Sequence, residues 1–440
     1  MTRKLHLNAL FHPSGEHLAG WRHPDAPADA ATNFAYLRAL VEKLEAAKFD
    51  ALFIADLVGV PDSKPAVLER VAVVNDGFEP TTLLAAVSAF TTNIGLIATA
   101  SSSYSEPYSL ARTFASLDHL SKGRAGWNLV TSLNDSEARN YGLDDHPLHG
   151  DRYARAEEFH DVVSGLWDSF GDDAFVRDSA SGRYFDPAQL RSLNHRGEHF
   201  TVAGPLNIPR SPQGRPVIAQ AGASEAGRAL ASRIGEVIFS GARDIHSAKE
   251  YYSDLKRRAV ELGRSESDLL VFPGLTPIVA PTLAEAEDQF EALESLLHPV
   301  VGLGDLEYWL GGVDLTQFDL DGPLPELPVS NKSISTQQGI YQRARERNLS
   351  IRDFAREAGR GDSIIVGTAS DIADHIEEWF IEGAADGFNV VFPFLPTTLH
   401  SFADLVVPEL QRRGLFRTEY EGTTLRENLG LTRPERRAAA

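Results

Sequence analysis

Cysteine is absent from the chain and methionine occurs once, as Met1. The first absence excludes disulfides, thiolate nucleophiles and thiolate metal ligands. The second leaves almost no oxidisable sulfur, a composition suited to work near peroxides. No stretch approaches 18 uninterrupted apolar residues, so nothing reads as a membrane-spanning helix. The opening MTRKLHLNALFHPSGEH lacks the continuous apolar segment of a secretory leader, and the expectation is a soluble cytoplasmic protein. Positive charge is also scarce. With 42 Lys and Arg against 62 Asp and Glu, the formal charge is −20, which disfavours a phosphate backbone as partner.

What remains is ample for a core. Hydrophobic residues make up 42% of 440 positions, beyond the size at which one simple core stops growing. Apolar strand-like runs recur at residues 4–11, 51–56, 94–102, 124–132, 216–222, 236–241, 269–280 and 387–394. Amphipathic helical patterns lie between them, at 33–48, 107–121, 151–170 and 370–383. In the third of these Tyr153, Ala156, Phe159, Val163 and Leu166 share one face. This alternation predicts an α/β TIM barrel, read as a single domain over 1–440. Residues 171–215 and 299–366 do not fit a minimal barrel and are expected as insertions at its C-terminal mouth, with a helix near 334–358. The final PERRAAA reads as a frayed tail.

Reacting groups of such a barrel sit at the C-terminal ends of its strands. Those ends carry Asn8 and His12, Asp56, Thr99 with Ser101 and Ser102, Asn128 with Thr131, Gly222 to Ser224, and Phe392 to Phe394. A metal-dependent hydrolase wants two histidines at alternate positions of the first strand, but Asn8 stands two after His6. Paired-carboxylate glycosidase chemistry fails too, because only Asp56 presents itself. Hydrogen-bonding neutrals around one carboxylate suit a bound cofactor that supplies the reactivity, and a flavin fits. Each residue also has a plain structural reading: Asp56 as a turn former, Thr99 as a strand residue, Tyr153 as helix core, His149 as a surface loop residue.

The stretch PVIAQAGASEAGRALA at 216–231 has the form strand, turn, helix. It lacks the second glycine of a dinucleotide turn, the lysine of a nucleotide-hydrolase loop and the trailing glycine of a nucleophile elbow. Ser224 suits a helix N-cap, and the same first-turn amides could hold one phosphate group.

Taken together, GRAGWNLVTS, EARNYG (137–142), HGDRY (149–153), QAGAS (220–224) and the C-terminal run from ADGFNVV to LRENLGL carry a resemblance. The chain resembles the bacterial-luciferase-like flavin monooxygenases, in particular the nitrilotriacetate, EDTA and dibenzothiophene-sulfone subgroup. The resemblance implies a two-component enzyme: a separate NAD(P)H:flavin reductase provides reduced FMN, and the barrel uses O2 to oxygenate a small organic substrate. It implies that Asp56, Thr99, His149, Tyr153, Ala223 and Ser224 contact FMN, that no metal is needed, and that the chain forms dimers or tetramers. It does not designate a catalytic residue. Trp21, Arg22 and His23 match another family stretch that could line the substrate entrance, or else Trp21 packs locally and Arg22 is solvated. Two departures stand out. Barrels in general place a phosphate site after strand seven or eight, whereas this turn follows the fifth and the family pattern overrides that rule; and Gly150 follows His149 where an acidic residue is commoner in the family. A deazaflavin-dependent oxidoreductase and a non-catalytic flavin-binding protein are the alternative functions, and the C-terminal block favours the monooxygenase branch.

Overall fold

Eight of the apolar runs form parallel strands in the computed structural model, which describes residues 3–75, 77–358 and 364–436. They are β1 (His6–Phe11), β2 (Ala51–Ile54), β3 (Gly95–Ser101), β4 (Ala125–Val130), β5 (Val217–Ala221), β6 (Val237–Ser240), β7 (Leu270–Val279) and β8 (Gly387–Val391). Each pairs in parallel with the next, and β8 returns to β1, so the sheet closes into a barrel. The strands are buried almost throughout, as expected where helices cover the outer face and side chains fill the interior. The predicted α/β TIM barrel is thus the observed fold. A short additional strand, Ile364–Gly367, pairs with the final residues of β7, Thr276 to Val279, beyond the point where β7 contacts β8. The sequence places most of this segment at the end of the 299–366 insertion and announces no strand there. It forms because β7, at ten residues, outruns its neighbours and leaves a free edge.

Helices important to the site are α1 (Asp135–Asn140), α2 (His149–Trp167) and α3 (Glu225–Ile234), followed by α4 (Pro299–Trp309), α5 (Ile334–Glu346) and α6 (Ile351–Ala358). A last short helix, α7 (Leu425–Asn428), lies near the C-terminus. The single helix expected near 334–358 is two, because Asn348 takes a positive φ of 50° and the chain turns before α6. Helices α4 to α6 enclose their own apolar cluster, including Leu306, Leu310, Ile340, Ile351 and Phe354. Lys64, in the loop after β2, donates to Glu307 at 2.7 Å and Asp314 at 2.6 Å, fastening this insertion to the barrel mouth. The 171–215 insertion is not at the C-terminal mouth as expected. It joins the end of α2 to the start of β5, at the N-terminal end of the barrel, where Gln213 donates to the Ala125 carbonyl at 2.7 Å. Within it a small antiparallel pair, His195–Arg196 with Thr201–Val202, folds against α2. Glu158 of α2 accepts from the backbone amides of His199 and Phe200, both at 2.9 Å, and fixes that hairpin.

The opposite end of the barrel is closed by the C-terminal segment. Leu425, Leu429 and Leu431 join Ala51, Phe53, Ile97, Val217, Val237 and Phe272 in one interior cluster. Gly95 makes the room: a Cβ there would stand 2.4 Å from Leu425 Cδ1. The tail is not frayed where it is described. Arg433 bonds Asp172 at 2.7 Å, and Arg436 donates to the carbonyls of Asp168, Ser169 and Gln189. Residues 437–440 of the expected tail lie outside the described residues. Among the described residues no helix is long and apolar enough to cross a membrane.

Candidate functional site

The turn after β5 is held from several sides. Tyr251 donates its hydroxyl to the Gly222 carbonyl at 3.0 Å, and Arg228 Nε donates to the Ala223 carbonyl at 3.0 Å. With its carbonyls thus engaged, the turn leaves the amides at the start of α3, which have no intrahelical acceptor, facing out of the helix end. Ser224 caps α3, its Oγ accepting from the Gly227 amide at 3.1 Å. Gly222 is a close-approach position: a Cβ would lie 3.1 Å from the Tyr153 hydroxyl and 3.0 Å from Gly227 Cα.

His149 and Tyr153 come to this turn from the first turn of α2. His149 Nε2 is 3.3 Å from Ser224 Oγ, the two rings stand 4.7 Å apart, and Tyr153 hydrogen-bonds Ser224 and Thr131. Their i, i+4 spacing puts both on one side of the helix. His149 therefore opens α2 and is not a surface loop residue. Burial, and next the Arg152 guanidinium, hold its pKa below the ordinary histidine value, so the imidazole is neutral near pH 7. Burial raises the Tyr153 phenol, which keeps its proton as a donor.

Four of the six expected residues, His149, Tyr153, Ala223 and Ser224, are thus gathered at one place. Asp56 stands just after β2 and Thr99 near the end of β3. Asp56 is half-buried, and after burial its charge is the next cause that raises the Tyr141 phenol's pKa. Thr99 is already engaged, donating to the Ile54 carbonyl at 2.7 Å and accepting from Asn128 Nδ2 at 2.9 Å. Register explains the second bond, since Thr99 and Asn128 are direct partners across β3 and β4. Asn128 Oδ1 is buried without a hydrogen-bond partner. Asn8, in turn, donates to Asn389 across β1 and β8 at 3.2 Å. At the other side of the mouth Trp21 donates to the Arg70 carbonyl at 3.0 Å, Arg22 bonds the Leu296 carbonyl, and His23 stacks on Phe394 at 3.9 Å. Trp21 and Arg22 line a cavity of about 220 Å³ with residues of α4's approach, so both do packing work beside an opening.

The structure adds residues that sequence reasoning passed over. Arg152 is buried, donating to the Ser132 carbonyl at 3.1 Å and the Asn331 carbonyl at 3.0 Å. Its signal was present: Arg152 falls in phase with Ala156, Phe159 and Val163 on the apolar stripe. Glu137 is buried too, accepting from Ser132 Oγ at 3.1 Å and from the amides of Leu133 and Asn134 at 3.2 and 3.0 Å. Ser132 has a positive φ of 55°, a conformation this ring of bonds sustains. Nothing short of the fold would have linked Asn134 to Tyr308 of α4, whose hydroxyl donates to it at 2.7 Å.

A closed parallel barrel with its polar groups gathered at the C-terminal mouth is the architecture of a barrel enzyme. The chain belongs to the luciferase-like monooxygenase family, whose profile matches residues 14–386. It is 48% identical over 447 aligned residues to nitrilotriacetate monooxygenase component A of Aminobacter aminovorans, covering 100% of this chain and 99% of that one. It is 47% identical over 443 residues to the N-acetyl-S-(2-succino)cysteine monooxygenase of Bacillus subtilis, covering 99% of each. Among solved structures, a riboflavin lyase with modified FMN and riboflavin matches with a TM-score of 0.89 and 32% identity, over 97% of this chain and 96% of that one. The protein is a flavin-dependent monooxygenase, and the family resemblance carried by its motifs is borne out.

Proposed function

We propose that the chain is the oxygenating component of a two-component system, taking reduced FMN from a separate reductase and transferring one atom of O2 to a small organic substrate. The observation that carries this is the convergence of Ser224, His149 and Tyr153 on a capped helix start. The residues fit the cofactor. A neutral imidazole, two hydroxyls and free first-turn amides suit one phosphate group, while the glycine at 222 leaves no Cβ between the turn and the Tyr153 phenol. Asn128 Oδ1 is a buried acceptor awaiting a donor of the kind a flavin ring edge presents. Reduced FMN, when bound, supplies the electrons that activate dioxygen. The protein's own contribution is to orient it and to exclude water, for which α4 to α6, seated on the loops after β2 and β4, are placed. A separate reductase is supported by the component designation of the Aminobacter aminovorans relative. The turn agrees with this reading, since Ser224 stands in place of a dinucleotide glycine.

The test supplies the purified chain with FMN and NADH, alone and with an unrelated flavin reductase, and follows oxygen uptake and product. Uptake should require the reductase, and chemically reduced FMN should replace it. NADH oxidation by the isolated chain at the rate of product formation would refute the two-component reading. No oxygen consumption with reduced FMN would favour a deazaflavin enzyme or a binding protein.

A further inference from the structure

A chain of contacts runs from the phosphate turn up to the insertion that covers the mouth. Tyr153 bonds Ser224 and Thr131, Arg152 bonds the next carbonyl at Ser132, and its other nitrogen reaches the Asn331 carbonyl at 3.0 Å. The Asn331 amide in turn donates to the His146 carbonyl at 3.3 Å. The residue after Asn331 is Lys332, whose ammonium lies 3.7 Å over the Tyr308 ring, while the Tyr308 hydroxyl is anchored on Asn134 at 2.7 Å.

Lys332 is half-buried, yet its ammonium makes no ion pair among the described residues. Three carboxylates influence it from farther off, and each has other donors. Asp62 takes Arg139 at 2.5 Å, Asp135 takes the His146 amide at 3.0 Å, and Glu137 takes Ser132 and two backbone amides. An aromatic face stabilises a cation but offers no acceptor lone pair, so the ammonium keeps donors to spare. Burial accordingly depresses its pKa below the ordinary lysine value. Burial outweighs the pull of these three carboxylates, and a desolvated cation with no directly bonded anion is costly unless one arrives to meet it.

Resting on the monooxygenase reading above, we propose that Lys332 is a specificity-determining residue that receives a carboxylate of the substrate at this mouth, so that the substrate class is small organic carboxylates. The neighbouring elements fix where it acts. Tyr308 holds the ammonium from α4, and the Arg152 bond to Asn331 ties its backbone to the strand-end loop beside the flavin turn.

The experiment measures calorimetric binding to the FMN-loaded protein of succinate, citrate and nitrilotriacetate, each beside its neutral primary amide. Wild type, Lys332→Met and Lys332→Arg are compared, with FMN affinity and thermal melting recorded for each. The methionine variant keeps an apolar stem on Tyr308 and removes only the charge. At least one carboxylate should bind wild type in preference to its amide. Lys332→Met should weaken that carboxylate roughly 10- to 150-fold, as expected for loss of a hydrogen bond between charged groups, leaving the amide, the FMN affinity and the melting temperature unchanged. Lys332→Arg should recover most of the loss. The proposal is overturned if no carboxylate is preferred to its amide, or if Lys332→Met binds both alike. Failure of wild type to bind FMN would instead count against the flavin reading, and the carboxylate comparison is then made on the flavin-free protein.

Discussion

The Ser224 hydroxyl has two tasks, one as the cap of α3 and one toward His149 and Tyr153. Ser224→Ala is therefore expected to weaken FMN binding by roughly 1.5 to 3 kcal/mol, the range for a hydrogen bond to a charged group, and to cost about 1 kcal/mol of stability through the cap. Flavin fluorescence titration and thermal melts separate the two effects, and an unchanged dissociation constant would leave Ser224 as a cap only. Tyr153→Phe retains the ring and should lower affinity with little loss of stability. At His146 the prediction concerns pH. Burial, and then the Arg152 charge, lower its pKa to about 4, and the side chain is bonded to Tyr104. In the unfolded chain it titrates near 6.5, so folding requires the neutral form between these values. Its contribution is fully favourable above about pH 6.5 and is lost as pH falls toward 4, by on the order of 3 kcal/mol in total. His146→Gln should flatten that part of the stability profile in denaturant melts, and an unaltered slope would show that other groups carry it.

Among the elements, α7 does most for its size. Its Leu425 is fully buried in the floor of the barrel, in space that Gly95 provides. Leu425→Ala leaves a cavity there and should destabilise the fold by about 2 to 5 kcal/mol, read by urea unfolding, with FMN affinity retained because the turn after β5 lies at the other end. A loss below about 1 kcal/mol would mean that the floor collapses around the deletion. The continuous apolar runs and the helical patterns announced the strands and outer helices well, because burial of a strand on both faces or a helix on one writes itself into the sequence. They were less telling in the insertion, where Asn348 turns the chain between α5 and α6 through its own backbone angle and breaks no hydrophobic period.

At the scale of the whole molecule, the C-terminal segment ties the barrel floor to the 171–215 insertion. Asp172 is bound by Arg433 and Arg210, which lower its pKa to about 2. That tie is fully present above the unfolded value near 3.9 and is lost only as pH falls toward 2, so it persists through neutral and mildly acid solution. Ending the chain after Leu431 removes Arg433 and Arg436 together. Limited trypsin digestion at neutral pH should then cut more quickly near Arg177 and Arg183, in the insertion the tail holds. Equal digestion rates would show that Glu158 and the hairpin suffice.

The sequence by itself determined the barrel, the positions of its eight strands and the family, because apolar periodicity and short motifs are local properties of the chain. It also marked His149, Tyr153 and Ser224, since spacing along one helix and one turn can be counted. Tertiary structure alone decided that these three meet, that the hydroxyl of Thr99 is taken up by its neighbours, and that Arg152 spans Ser132 and Asn331. It alone set Lys332 over Tyr308 and brought Leu425 to Gly95 across hundreds of residues. Such contacts depend on which strands adjoin and where an insertion settles, and no periodicity in the chain records a partner that distant.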